Sequence, residues 1–508
     1  MESPEIRVLD PACGDGALLA ATVEAASDEA SLALHGLDID ARSVRATKRR
    51  LHRSCPEIDV SVRKADFLEA EVQPEFDMVI ANPPYVRTQV LGSQRAQILA
   101  SRFGLKGRVD LYHAFAAQIA AVLKPGGVMG LLTSNRFLST KGGASLREQM
   151  ERDFAIKSVF DLGDTRLFDA AVLPVVVVAA KKPTRNSAVP KFVRVYSQGH
   201  DHSTTTDSDG AQILAAVASR RKQVQVGNRQ FRIDRGHLKT TSSGWTLSNR
   251  QTESWLSRVR KRQAARFGDL AEIKVGIKTT ADKIFIREDW GEVESGYRPE
   301  DELILPLITH HDARRWKVGG RIRKSVLYPY QMKKPKQKVI EEGDFPSAFR
   351  YFEQHRDRLA SRKYVVDSGR AWFEVWVPHQ PAEWKAPKIV WPDISDQPRF
   401  FLDCSGAIVN GDCYWIKLNK DANPDWLYLM LAVANSSVAT KYYDIMFHNK
   451  LYAGRRRFMT QYVNDFPLPS ISAELSPEII RLVKKLLKKP TDSVEQQVET
   501  LVQRVFGL

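Results

Sequence analysis

Apolar residues in the first third of the chain fall in short runs divided by helix-forming stretches. Ile6-Arg7-Val8-Leu9 enters a glycine turn, Asp10-Pro11-Ala12-Cys13-Gly14-Asp15-Gly16, after which Ala17 to Ala26 has helix-forming composition. Further strands are expected at Leu32 to Leu37, near Val60 to Lys64, and at Phe76 to Ala81. Strand, glycine turn and helix in that order make the first unit of an α/β, Rossmann-like sheet, with the glycines letting the backbone approach a ligand closely. The run Phe76 to Ala81 is followed by Asn82-Pro83-Pro84-Tyr85. Two consecutive prolines donate no ladder hydrogen bonds, so this strand is expected to stop at a rigid loop. Open α/β sheets place their ligands at that carboxyl end.

Each of the four strand ends carries a polar side chain. Asp10 ends the first, and the turn after it lacks the third glycine of a pyrophosphate cradle, so an ammonium suits this position better than a phosphate. Asp38 ends the second, 22 residues after Gly16, where an acid commonly accepts hydrogen bonds from a ribose diol. Asp40 is the alternative there, or the N-cap of a helix starting near Ala41. Asp66-Phe67 ends the third and Asn82 follows the fourth. Any one of them alone reads more readily as a cap or turn residue; four in register on one edge make coincidence a poorer account. The Asn82 amide, the Pro83 carbonyl and the Tyr85 ring together suit a flat, nitrogen-bearing substrate.

Charge changes the picture for the rest of the chain. The net charge of the 508 residues is +16, but residues 1–185 carry only +1 and residues 186–508 carry +15. A basic domain meets polyanions, with a merely solvated basic surface as the alternative. The apolar and charged fractions, 43% and 27%, are those of a globular protein. No apolar run is long enough to span a bilayer, and Met1-Glu2-Ser3-Pro4-Glu5 has no basic n-region or apolar h-region, so a cytoplasmic location is expected. Cys13, Cys55, Cys404 and Cys413 form neither a disulfide framework nor a Cys-x-x-Cys knuckle, so reduced structural thiols and no metal are expected.

Residues 86–108 hold Arg87, Arg95, Arg102, Lys106 and Arg108 without an opposing acid, and are expected to form a long, mobile polar loop beside the Asn82 loop. Residues 186–268, rich in Ser, Thr, Gly and charge, read as a connector. Residues 269–470 carry short, turn-separated strands and read as a mixed α/β domain, and residues 471–508 as C-terminal helices. Within 269–470, Phe447 to Met459 joins a basic cluster to aromatics; Lys450, Arg455, Arg456 and Arg457 are its candidate phosphate-binding residues. Pro392-Asp393 begins a superficial nuclease-like string, but no Glu-x-Lys follows it at a suitable distance.

The set Asp10 to Gly16, Gly36-Leu37-Asp38-Ile39-Asp40, Ala65-Asp66-Phe67 and Asn82-Pro83-Pro84-Tyr85 resembles class I S-adenosylmethionine-dependent methyltransferases that modify amino nitrogens. It is more closely similar to the TaqI-like, gamma-class DNA adenine-N6 methyltransferases of restriction-modification systems. The resemblance continues through Asp110-Leu111-Tyr112-His113-Ala114-Phe115 and Ser134-Asn135-Arg136-Phe137-Leu138, and is looser beyond about residue 185. It implies a class I methyltransferase sheet with helices on both faces, followed by a mixed α/β DNA-recognition domain. It also implies Asn82, Pro83 and Tyr85 as catalytic residues, with S-adenosylmethionine held by Asp10, Ala12, Gly14, Asp38, Ile39, Asp66 and Phe67. The partners it implies are double-stranded DNA and a cognate restriction endonuclease acting on the same site, with the methyltransferase itself a monomer. Phe168 is a candidate for the second face of the target base, with core packing as the alternative. Family members carry a segment before the first strand that closes over the methionine end of the cofactor. Only Met1 to Glu5 stand there in this chain, so a start codon further upstream is expected, with a segment supplied from elsewhere or impaired cofactor binding as the alternatives. Three alternatives stay open: cytosine N4, for which Ser-Pro-Pro-Tyr is the commoner loop; a protein glutamine amide, disfavoured by the basic second part; and a DNA-binding specificity or defence subunit with an inactive methylase domain.

Overall fold

A computed structural model describes all residues except 1–4, 28, 71–72, 87–91, 107–109, 166, 168–172, 183–187, 199–206, 242–243, 332–337, 448–450 and 452–453. The chain divides into two compact units. Met1–Thr252 with Ile445–Gly454 form the first, and Glu253–Asp444 with Arg455–Leu508 the second.

The first unit is built on one sheet. Its opening half runs β1 (Ile6–Asp10), α1 (Ala17–Ala25), β2 (Leu32–Asp38), α2 (Ala41–Ser54), β3 (Asp59–Lys64) and β4 (Phe76–Ala81). It continues with α3 (Ser93–Phe103), α4 (Leu111–Val122), β5 (Leu123–Ser134), α5 (Ala144–Asp153), β6 (Phe154–Asp161) and β7 (Pro174–Lys181). Next come β8 (Lys191–Gln198), α6 (Asp207–Ala218), β9 (Gln223–Val226), β10 (Arg229–Thr241) and β11 (Gly244–Ser248). The strand order is β11-β10-β8-β6-β7-β5-β4-β1-β2-β3, with β9 on β10. Strands β1 to β5 are mutually parallel and β7 is antiparallel to both its neighbours. The chain reverses its direction of winding between β1 and β4, which makes the loops after these two strands the crevice of the sheet.

Successive residues of β1 enter different cores. Val8 packs with Leu19, Leu34, Val44 and Leu51, whereas Leu9 packs with Val79, Phe115 and Ile119. Because strand side chains alternate, helices α1 and α2 cover one face and α4 the other. A parallel strand covered on both faces needs a largely apolar run, which Phe76 to Ala81 supplies apart from Asp77, whose carboxylate pairs with Lys124 and accepts the Arg7 N–H. Helix α4 is buried almost all round, with ten of its twelve residues inaccessible, because it carries that second face.

Two expectations need correction. Residues 186–268 are not a connector: β8, β10 and β11 extend the same sheet, and the first unit runs to Thr252. Alternating apolar residues in β8 and β10 pair in register, but charged residues between them hide the pattern in a composition count. The expected loop 86–108 contains helix α3, which ends at the left-handed Gly104.

The second unit holds a four-stranded antiparallel sheet of Ala271–Val275, Cys413–Leu418, Lys388–Pro392 and Phe401–Asp403. A second sheet joins Ile286–Arg287, Ser325–Leu327, Ile304–Ile308 and Ile408–Val409. Helices Ser476–Lys488 and Asp492–Val505 belong to this unit too. No described helix is long and apolar enough to cross a membrane.

Candidate active site

Because β1 to β4 run parallel, Asp10, Asp38, Asp66 and Asn82 lie along one edge of the sheet. Asp10 is 1% exposed, and its Oδ1 accepts the Ala12 N–H at 3.1 Å. Burial pushes its carboxyl up to about 7, partly opposed by that hydrogen bond and reinforced by the charge of Asp38. The turn beyond it is made by two left-handed glycines, Gly14 and Gly16. A Cβ on Gly16 would come within 2.9 Å of the Thr47 side chain, while one on Gly14 would meet nothing. The Gly14 backbone is therefore open to approach, and α2 packs against Gly16.

The turn is held from the next strand. Asp38 accepts the Gly14 N–H at 3.0 Å on one oxygen and the Asp40 N–H at 2.8 Å on the other. Each carboxylate oxygen keeps a further lone pair for an external hydroxyl. Asp40 caps α2, accepting from Arg42 N and Ser43 N. Between them Ile39 is 67% exposed, an apolar side chain left in the open beside the turn. Three of the cysteines are buried, as structural thiols are expected to be, and Cys404 is exposed.

At the third strand end the outcome is mixed. Asp66 accepts the Leu68 N–H at 3.0 Å and pairs with Arg95 at 3.1 Å, so Arg95 finds outside residues 86–108 the acid that this stretch lacks. That partner lies 29 residues away, beyond the reach of a local charge count. Phe67 does not face the edge. It is 2% exposed and its ring lies 5.4 Å from that of Phe115, so its side chain is core and only its backbone reaches the site region. The Gln118 amide fixes that backbone by donating to the carbonyls of Phe67 and Ala70.

In the fourth loop Pro83 is buried while Asn82 is exposed. The Tyr85 hydroxyl donates to Asn82 Oδ1 at 3.1 Å, and burial pushes its pKa up to about 12. The loop is pinned by Val86, whose carbonyl accepts the Leu111 N–H at the start of α4. No described residue donates to the Pro83 carbonyl. One amide oxygen shared with a phenol and one free carbonyl thus stand beside an aromatic ring.

A buried polar network on the neighbouring strands escaped the sequence reading. Asp161, at the end of β6 and 0% exposed, accepts from Asn135 Nδ2 at 3.0 Å, Gly163 N at 3.2 Å and Arg194 Nε at 3.1 Å. Its only sequence signal was an acid closing the apolar run Val159-Phe160. Phe168, Arg87, Arg108 and Lys450 lie outside the described residues.

In the second unit the basic cluster is corrected. Arg456 makes a bidentate pair with Asp444, at 2.7 and 2.9 Å, and its side chain is 12% exposed. Arg457 is paired with Asp393, at 2.8 to 3.0 Å. These arginines neutralise carboxylates inside the unit and hold the strand pair Ile394–Ser395 with Arg456–Arg457. Arg455 is exposed and makes no such pair with a described residue. Asp393, the acid of the nuclease-like string, is accounted for by Arg457.

Residues 56–168 match the family described as Eco57I restriction-modification methylase, and residues 336–468 match the TaqI-like C-terminal specificity domain. The chain is 36% identical over 534 aligned positions to the type II methyltransferase M.BanIII of Aneurinibacillus aneurinilyticus, covering 99% of this chain and 92% of that one. It is 23% identical over 540 positions to M.BstVI of Geobacillus stearothermophilus, covering 98% and 91%. The fold is shared with a type IIL restriction-modification enzyme, MmeI, solved in complex with DNA. There the TM-score is 0.62 at 12% identity, over 99% of this chain and 70% of that one. The chain belongs to the S-adenosylmethionine-dependent type II restriction-modification methyltransferases.

Proposed function

We propose that this methyltransferase acts on the N6 amine of an adenine flipped out of double-stranded DNA, and so protects the site from a cognate restriction endonuclease. The observation that carries the reading is the Asn82-Pro83-Pro84-Tyr85 loop, an exposed amide and a half-buried ring at the end of β4, on the edge that also bears Asp10 and Asp38. The names of the relatives support DNA as the substrate class, and the Asn at position 82 supports adenine over cytosine.

The residues present fit S-adenosylmethionine. Asp10 would hold the ammonium, Asp38 the ribose hydroxyls, and the exposed Ile39 one face of the adenine ring, with Ala12, Gly14 and Asp66 around them. The bound cofactor supplies an electrophilic methyl group on a sulfonium. The amine's lone pair is delocalised into the base. Asn82 Oδ1 and the Pro83 carbonyl, each accepting one N–H, favour a pyramidal nitrogen whose lone pair is free to attack. Tyr85 stacks on the extruded ring and offsets part of the unstacking cost.

Asp10 makes cofactor binding depend on pH. Its folded pKa is raised, so its contribution to stability is full below about 4 and is lost as pH rises through about 7. A bound ammonium favours the ionised form, so binding releases a proton wherever Asp10 is neutral beforehand. Affinity should fall up to about tenfold per pH unit below pH 7. Calorimetric titration between about pH 5.5 and 8 checks this. The slope should vanish in Asp10→Asn, and a wild-type profile as flat as the variant's would remove Asp10 from the ammonium site.

Tyr85 offers a second check. Tyr85→Phe keeps the ring and releases Asn82 Oδ1, so turnover should stay within about twofold of wild type. Tyr85→Ala loses a stacking contact of about 1–3 kcal/mol, raising KM for DNA about 5- to 150-fold. If the Phe variant were as impaired as the Ala variant, the hydroxyl and not the ring would be the working group. Tritiated methyl transfer to unmethylated DNA, followed by identification of the labelled base, tests the whole reading; label on cytosine, or none, refutes it.

A further inference from the structure

The near-neutral charge of residues 1–185 conceals one strongly polarised element. Helix α2, Ala41–Ser54, contains Arg42, Arg45, Lys48, Arg49, Arg50 and Arg53 and no acidic residue. Arg50 pairs with Asp15, and Arg42 lies near the capping carboxylate of Asp40. Arg45, Lys48, Arg49 and Arg53 are exposed and form no hydrogen bond or ion pair with any described residue. Arg45, Arg49 and Arg53 stand at i, i+4 and i+8, one stripe opposite the buried Val44, Thr47 and Leu51.

This arrangement works against the helix. Arg45 with Arg49, and Arg49 with Arg53, are like-charge i,i+4 pairs, and Arg42 places a cation in the first turn against the helix dipole, which favours only Arg53 of the stripe, in the last turn. A solvated surface helix relieves such repulsion with interspersed Glu, and here there is none. The helix is kept by its Asp40 cap and its apolar face. A polyanion laid along the stripe would relieve the repulsion. From Arg45 to Arg53 the stripe is about 12 Å long, or three to four nucleotide steps of about 3.4 Å along one DNA strand.

We propose that the outer face of α2 is a second DNA contact, an electrostatic track for phosphates away from the target base. The inference rests on the reading of DNA as substrate and adds a surface that the catalytic loop does not use. Such a face raises affinity for long DNA and carries no sequence information.

The test uses the full chain with the triple substitution Arg45→Gln, Arg49→Gln and Arg53→Gln. Binding is measured over about 50–200 mM salt on two duplexes, about 15 and about 60 base pairs long. Both contain the methylated site, mapped beforehand by sequencing modified DNA. On the long duplex the slope of log K against log salt should become shallower by about 2 to 3, since each phosphate neutralised contributes about 0.9. On the short duplex, binding and methyl-transfer rate should match wild type. The charge-preserving Arg→Lys triple variant should keep the wild-type slope, which separates lost charge from a damaged helix. An unchanged long-duplex slope overturns the proposal. Binding of polyglutamate through this face with an unchanged DNA slope overturns it too, assigning the face to an acidic protein. A wild-type chain that labels no DNA would instead sink the reading of function.

Discussion

Replacing Asn82 with Ala should lower the single-turnover rate of methyl transfer by about 10²–10³-fold while leaving cofactor and DNA affinity within about threefold of wild type. The magnitude is that of removing one preorganised hydrogen-bonding group aimed at a transition state. Asn82 is suited to this role because nothing else depends on it. It is exposed, it lies after the last residue of β4, and among the described residues its one side-chain hydrogen bond is with Tyr85. Loss of its amide creates no cavity and strands no buried partner, so a large loss of rate could not be ascribed to unfolding. Asn82→Asp sharpens the result. It keeps two acceptors but places a negative charge next to the reacting amine, and it should recover part of the rate that Ala loses. Near-normal methyl transfer by Asn82→Ala would remove the residue from the chemistry. A parallel fall in DNA affinity would make it a binding residue.

The sequence disclosed this edge of the sheet better than it disclosed the surfaces around it. Asp10, Asp38, Asp66 and Asn82 were legible because each follows an apolar run, and strand periodicity is a local signal. Ile39 could be placed as well, since an apolar residue between two acids at a strand tip has no core to enter. The direction of the Phe67 side chain is not legible, for the converse reason. An aromatic one position past a strand end points to the edge or to the core according to the turn, and here the turn sends it onto Phe115. The partners of Arg95, Arg456 and Arg457 are not legible because these counter-charges, Asp66, Asp444 and Asp393, lie 29, 12 and 64 residues away. Charge counted along a chain cannot see pairing made in space. The stripe on α2 failed in the opposite sense. It was plainly spaced at helical intervals, but averaging over residues 1–185 cancelled it.

Asp161→Ala should destabilise the first unit by about 3–5 kcal/mol, the usual loss when one member of a buried ion pair is removed. Asp161 is 0% exposed and receives the guanidinium of Arg194, whose side chain is 13% exposed, together with the Asn135 amide and the Gly163 N–H. Without it, a nearly buried cation loses its counter-charge and three further donors, Asn135 Nδ2, Gly163 N and the Tyr196 hydroxyl, lose an acceptor, at about 1–3 kcal/mol for each group left unsatisfied. The loss should show as a lower urea midpoint for the transition that reports the sheet. Asp161→Asn should lie between wild type and Ala, since it retains an acceptor but still leaves Arg194 unpaired. The decisive variant is the double substitution Asp161→Leu, Arg194→Met, which removes both charges and fills similar volume. Apolar replacement of a whole buried pair is often neutral or better, so most of the stability should return. If the double variant were as unstable as Asp161→Ala, the loss would come from the hydrogen bonds to Asn135, Gly163 and Tyr196 and not from the stranded charge of Arg194. If Asp161→Ala were as stable as wild type, the network would contribute nothing to the fold. The network joins the ends of β5 and β6 on the side of the sheet where β4 delivers Asn82, so the same variants also report what holds that edge in shape.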